Sequence, residues 1–290
     1  MNKKFLIFAT LVLSMTPVFA QVQPINVVVI GAHPDDCDLD AGGTAIQFAK
    51  MGHRVLFISA TNGDAGHFNK SGNVLATIRK AEAEEAGKRF GVTYKVLDNH
   101  DGFLMPDINL RLALIRLIRE WKADLVIGPR PYDYHPDHRN TAIAIQDAAY
   151  LVIVPNIAPE VPALKKNPVF LYTEDRFQKP NPFSPDIVVD ITNVFDQKIY
   201  ALAAHQSQFF EWLPWTAGQF EKVPKTESDR LKWLAEQRKG QMSEAVKKGL
   251  AKWYGPQADQ VKYAESFEIC EYGKVPTDDE IRQLFPMLGK

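Results

Sequence analysis

The chain has 290 residues, 46% of them hydrophobic and 24% charged, with a formal net charge of −1. That length fits one or two globular domains with a sizeable core, and the balanced charge excludes a general electrostatic pull on nucleic acid or anionic membrane. The only cysteines, Cys37 and Cys270, exclude a disulfide-built scaffold and leave one bridge as the most an oxidising compartment would allow.

Residues 1–20 read as an export leader. Lys3 and Lys4 give a basic start, Phe5 to Met15 an apolar run, and Val18-Phe19-Ala20 a small-residue cleavage site. The run is too short for a stable membrane anchor, and Gln21 after the cut, rather than Cys, argues against lipid attachment. The expectation is a protein without stable membrane insertion, periplasmic or extracellular once the leader is removed.

From residue 26 onward strands and helices alternate. "NVVVIGA" (26–32) is a continuous apolar run of the kind buried on both faces of a parallel sheet. "GGTAIQFAKMG" (42–52) suits a helix ended by Gly52, with Asp38 or Asp40 as its cap. "RVLFISAT" (54–61) predicts the second strand and 74–91 a helix closing at Gly91. A strand at 93–98, a helix at 108–121 and the strand "ADLVIGP" (123–129) continue the rhythm. A helix from Pro136, a favoured first-turn residue, to about Tyr150 follows, then strands at 168–173 and 186–191 and a helix at about 193–206. After Gln208 come the aromatic run "FFEWLPW" (209–215), a charged helical stretch at 225–252 and one more strand, "AESFEIC" (264–270). Repeated βα units of this length predict an α/β fold, a Rossmann-like three-layer open sheet, mostly parallel. A single domain is expected, with its core at about 25–208 and an elaborated C-terminal extension at about 209–290.

Two clusters carry chemistry. "HPDDCDLD" (33–40) follows the first strand, and "HPDH" (135–138) follows the fourth. Sites in open α/β sheets form at the carboxyl ends of strands where the strand order reverses, so both clusters would share one cleft. Imidazole and carboxylate together suit Zn²⁺, and a catalytic zinc takes three protein ligands and keeps one open position. Two histidines and one aspartate would leave a second carboxylate free as a base. Spacing leaves open which of Asp35 and Asp36 is ligand and which is base.

These residues carry a family resemblance. "AHPDD" after a buried strand, a "GGT" helix start and "HPDH" a hundred residues later resemble the PIG-L/LmbE family of zinc-dependent N-acetylglucosaminyl deacetylases. "TNGDAG" (61–66), Arg79-x-x-Glu82, Asp101-Gly102 and "AAHQSQ" (203–208) belong to the same likeness, with a weaker echo in "YAESF" (263–267). The resemblance implies His33, Asp36 and His138 as metal ligands for zinc, with Fe²⁺ the alternative. It implies Asp35 as the general base acting on zinc-bound water, a cationic His135 as stabiliser of the oxyanion, and Asp137 as the group orienting a neighbouring histidine. Many members carry Glu where this chain has Cys37; others carry an acid one position later, which Asp38 matches.

Weaker features have two readings each. Arg79 resembles the family's substrate-contacting arginine or is an exposed helix residue. Asp101 either accepts sugar hydroxyls or forms a turn with Gly102. His205 either lines the pocket or serves as a core or capping residue. The loop at 62–73 is expected to be a mobile rim with His67 solvated, and Trp212 and Trp215 stack on sugar rings or pack internally.

The expected reaction is removal of the N-acetyl group from an N-acetylglucosamine-type sugar or glycoconjugate. A nicotinamide-dependent enzyme is disfavoured, because His33 and Asp36 stand where G-x-G-x-x-G needs glycines. A metal-dependent esterase or other amidohydrolase, and a non-catalytic sugar-binding protein, remain as rivals.

Overall fold

Apolar runs without alternation require cover on both faces, and the sheet provides it. The structure, a computed structural model, describes residues 23–289, so the leader expected over 1–20 lies outside the described residues. Strand β1 (Asn26–Gly31) pairs in parallel with β2 (Arg54–Ser59) on one side and β4 (Leu125–Gly128) on the other. Strand β3 (Thr93–Val96) extends the β2 edge, and β5 (Val169–Thr173) the β4 edge. Val27 and Val29 join one core layer with Phe57, Leu125 and Ile127, while Val28 and Ile30 join the other with Ile58 and Val126. Helices α1 (Asp36–Lys50), α2 (Gly72–Phe90) and α5 (Phe195–Leu202) supply the first layer. Helices α3 (Ile108–Trp121) and α4 (Pro136–Leu151) supply the second. The expected three-layer α/β architecture is what the chain adopts.

The sheet order is β3-β2-β1-β4-β5-β7-β6, with β6 at Ile187–Asp190 and β7 at Ala264–Cys270. Order reverses between β1 and β4, as the doubly wound pattern requires, and their carboxyl ends carry the two clusters. Strand β7 runs antiparallel to both neighbours. The C-terminal third therefore contributes a strand to the interior of the same sheet.

Helix α1 departs from expectation. It starts at Asp36, six residues before Gly42, so Asp38 and Asp40 lie inside it rather than capping it. Gly31 allows this: a Cβ there would stand 2.5 Å from that of Asp36, so only glycine lets the first turn close onto the strand end. The C-terminal third nonetheless meets the helix near the expected start. Gly43 and Thr44 donate their backbone N–H groups to the Glu265 carboxylate at 2.7 Å each, and the Leu39 carbonyl accepts from Lys198 at 2.5 Å. A distant carboxylate thus accepts two backbone N–H groups from the middle of a continuous helix.

Other differences are local. The stretch at 225–252 forms two helices, α7 (Glu227–Arg238) and α8 (Glu244–Tyr254), because Ser243 caps the second by accepting from Val246 N–H. A four-residue helix, α6 (Leu213–Thr216), precedes them, and α9 (Asp278–Leu284) ends the fold. The helix expected to reach 206 stops at Leu202, and a π-turn occupies Gln208–Trp212. Both cysteines are free and buried in opposite core layers, Cys37 against β1 and Cys270 on β7, so no bridge forms. Burial pushes the Cys37 thiol well above its ordinary range, with the Asp38 and Asp36 charges adding to it, which makes it an inert packing residue.

Glu265 also pairs with buried Lys198 at 2.7 Å. Glu265→Ala removes that acceptor and strands the ammonium, and we expect a loss of about 3–5 kcal/mol in urea unfolding, with Lys198→Met recovering part of it in the double variant.

Candidate metal centre and active-site cleft

The β1–α1 turn and the start of α4 bring three donor atoms together. His33 Nδ1 lies 3.2 Å from His138 Nε2 and 3.6 Å from Asp36 Oδ2, and His138 Nε2 lies 3.4 Å from the same oxygen. Ligands about 2.0–2.1 Å from a tetrahedral cation stand about 3.3–3.4 Å apart, so the triangle fits one metal ion. Asp36 Oδ2 also accepts the Ala32 and His33 backbone N–H groups at 2.8 Å each, which fixes its carboxylate against the turn. Burial alone would raise the pKa of Asp36, but the charges of His138 and His33 and the bonds from His33 outweigh it and hold the group well below the usual carboxylate range.

Each histidine is oriented through its other nitrogen. His138 Nδ1 faces Asp133 Oδ1 at 3.1 Å, a partner that sequence reasoning missed although "YDYHPDH" contains it. His33 Nε2 meets Asp101 Oδ1 at 3.1 Å and Asp137 Oδ2 at 3.3 Å. Asp137 also accepts from the Gly102 and Leu104 backbone N–H groups, so it pins the loop after β3 as well as the ring. His33, Asp101, His135 and Asp137 make a second close group. In it the Asp137 oxygens are already engaged by backbone N–H groups, so the group reads as support for His33.

His135 stands at the head of the second cluster. It is the N-cap of α4, and its Nδ1 accepts from the Asp137 backbone N–H at 3.2 Å. Burial, then the nearby His33 and His138, push its pKa down. With Nδ1 accepting, Nε2 is the ring nitrogen left to donate.

Asp35 stands beside the triangle with 3% exposure. One oxygen accepts from Gln208 Nε2 at 2.9 Å and the other, buried, has no partner. Burial and the Asp36 charge raise its pKa, while His205 and Arg79 pull the other way. A carboxylate so placed is a stronger proton acceptor than one in water. Gln208 lies on the π-turn, in a region the sequence reading left without structure, so its role was hidden.

The remaining predicted residues fall into place around this centre. His205 is wholly buried and meets Asp38 Oδ1 at 2.9 Å, while the Tyr94 hydroxyl donates to Asp38 Oδ2 at 2.8 Å. No surface of His205 faces a cleft, which corrects the expectation that it contacts substrate. Arg79 is buried rather than exposed, donating to the Gly66 carbonyl at 2.8 Å with its Nε unpartnered. The loop at 62–73 is packed, not free. His67 is buried against Glu211 at 2.8 Å, and Asp64 receives the Asp101 backbone N–H at 3.0 Å.

Comparison with known proteins follows this geometry. A family model described as GlcNAc-PI de-N-acetylase (PIG-L) matches residues 28–149. The diacetylchitobiose deacetylase of Thermococcus kodakarensis is 32% identical over 211 residues, covering 67% of this chain and 76% of that protein. The chain belongs to the PIG-L family. A second PIG-L relative, the probable N-acetyl-alpha-D-glucosaminyl L-malate deacetylase 2 of Bacillus cereus, is 29% identical over 72% of this chain and 94% of its own length. The solved N,N'-diacetylchitobiose deacetylase of Pyrococcus horikoshii superposes with a TM-score of 0.64 at 24% identity over 88% of each chain, and so shares the PIG-L fold.

Removing the carboxylate behind His138 frees that ring to rotate. We expect Asp133→Ala to weaken Zn²⁺ binding about 10–100-fold in competition with a colorimetric chelator, with the fold intact by circular dichroism.

Proposed function

We propose that the protein is an exported, metal-dependent N-deacetylase that releases acetate from an N-acetylglucosamine-type sugar or glycoconjugate. The observation that carries this reading is the donor triangle of His33, Asp36 and His138 beside Asp35, whose buried oxygen is free to take a proton. Deacetylase relatives support the substrate class. Zinc, or alternatively ferrous iron, held by those three residues would polarise the acetamide carbonyl and lower the pKa of bound water to about 7.

The chain's own residues do the rest. Asp35 accepts the proton of the attacking water as its oxygen bonds to the acetyl carbon. The carbonyl oxygen becomes an oxyanion, and His135 donates its Nε2–H to it, since Nδ1 is held by the Asp137 backbone N–H. Collapse breaks the C–N bond, and Asp35 returns its proton to the departing amine, giving acetate and a free amino sugar. Gln208 holds Asp35 in place through the oxygen that does not carry the proton. Arg79 and Asp101 line the position where the sugar ring would lie.

The export half of the proposal rests on Lys3-Lys4, the apolar run and Val18-Phe19-Ala20. Protein recovered from outside the cytoplasm is expected to begin at Gln21 by N-terminal sequencing; a start at Met1 would refute it.

Acetate release from a panel of N-acetylhexosamine glycans, with the metal stripped by chelation and Zn²⁺ or Fe²⁺ restored, tests the reaction. Loss on stripping and recovery on restoration is the expected result. Faster release from matched acetate esters than from acetamides would replace the reading with an esterase. Asp35→Ala is expected to keep its metal yet lose at least about 100-fold in kcat; full turnover would remove Asp35 from the mechanism.

A further inference from the structure

The reaction above leaves one charged side chain of the C-terminal third without a task. Arg238 ends α7 with its guanidinium over the Phe209 ring, 5.3 Å from the centroid. Its Nε is buried with no hydrogen-bond partner, and no ion pair holds it among the described residues. Burial pulls its pKa down, and the charge that opposes this is Asp35. Phe209 directly follows Gln208, which holds Asp35, so one turn supports both the proton acceptor and this cation. A charge taken out of water without a partner is costly, and an anion bound beside it offsets that cost.

Arg238 lines a cavity of about 370 Å³ that opens to solvent between α1, α5, α7 and the start of β7. Leu39 and Asp40 form its wall on the α1 side, one helical turn beyond Asp36. The other buried charges of the wall are engaged. Lys198 pairs with Glu265 at 2.7 Å, and Arg130 holds Asp175 through two bonds of 2.5 and 2.7 Å. Glu174 accepts from the Ser266 hydroxyl. Asp40 accepts from the Thr173 hydroxyl at 3.1 Å, and burial, then the Asp36 charge, push its pKa up to about 7. Arg176 and Lys262, also in the wall, are exposed. Arg238 is the half-buried cation left without an anion.

We propose that this cavity is a binding site for a small carboxylate, the acetate released by the reaction, with Arg238 as its anchor. The proposal rests on the deacetylase reading, which makes one new carboxylate per turnover beside Asp35. A carboxylate is planar with two acceptor oxygens, and a guanidinium presents paired N–H donors that match them. Phe209 holds the guanidinium before any ligand arrives, so little side-chain freedom is lost on binding. Arg79, the other guanidinium acting on Asp35, already donates to the Gly66 carbonyl beside Asp101, where the sugar lies. Acetate drawn to Arg238 leaves the metal triangle and the sugar position free for the next substrate.

The first readout uses metal-stripped protein, with its fold intact by circular dichroism, so that acetate has no metal to bind. The ¹³C line width of labelled acetate is expected to show saturable binding to the wild type, about tenfold weaker binding to Arg238→Met and partial recovery in Arg238→Lys. No saturable binding to the wild type, or equal binding by wild type and Arg238→Met, overturns the site. Inorganic phosphate binding more tightly than acetate through Arg238 overturns the assignment to acetate. On the zinc-loaded enzyme with N-acetylglucosamine, Arg238→Met is expected to raise the inhibition constant of added acetate about tenfold without a matching rise in KM. A KM that rises by the same factor puts Arg238 against the sugar and overturns the proposal. Acetate binding that depends on Arg238 upholds the site even if no sugar is deacetylated, an outcome that would sink only the deacetylase reading.

Discussion

Three carboxylates, Asp35, Asp36 and Asp38, lie within four positions at the start of one helix, and Asp35 and Asp38 are fully enclosed. Buried charge is costly unless each group is compensated, and much of the surrounding structure is that compensation. Asp36 has two backbone N–H groups and two histidines. Asp38 has the Tyr94 hydroxyl and His205, which explains why β3 and the end of α5 pack where they do. Asp35 has only Gln208 and the more distant charges of Arg79 and His205. It is the least compensated of the three, and a proton acceptor needs that imbalance.

The C-terminal third belongs to this arrangement and is not an addition to it. Strand β7 lies between β5 and β6, and its Glu265 accepts the Gly43 and Thr44 backbone N–H groups of α1. Within the first turn of α1, Asp36 faces the histidines while Asp38 faces Tyr94 and His205. The π-turn after α5 does similar work from the other side, because its wider pitch carries Gln208 towards Asp35.

Much of this was legible in the sequence, for reasons that can be named. The unbroken apolar runs at 26–31 and 125–128 admit few placements other than central parallel strands, and two histidine–acid clusters at their ends admit few other than a shared cleft. Helix α3 was read to the residue because its apolar spacing and the Asp107 cap agree. The early start of α1 was hidden, because Gly42-Gly43 reads locally as a helix beginning and the competing signal, Glu265, lies 222 residues away. The burial of His67 was missed, and the two readings of His205 could not be separated, for a related reason: burial of a histidine depends on a carboxylate partner that spacing does not reveal. Asp133 and Gln208 were in plain view but carry no periodic signal, since each acts on a single atom of a residue elsewhere.

The contact between Glu265 and α1 has a temporal consequence. A chain emerging from the ribosome exposes residues 33–138 first, and all the histidines of the metal triangle are present by then. The Glu265 carboxylate that meets α1 emerges more than a hundred residues later, and β7 has to insert between two strands already made. Until it does, Lys198 lacks its carboxylate partner and the Gly43 and Thr44 N–H groups lack theirs. A C-terminally clipped chain therefore keeps every ligand residue but leaves buried Lys198 and the middle of α1 without the carboxylate they meet in the whole fold.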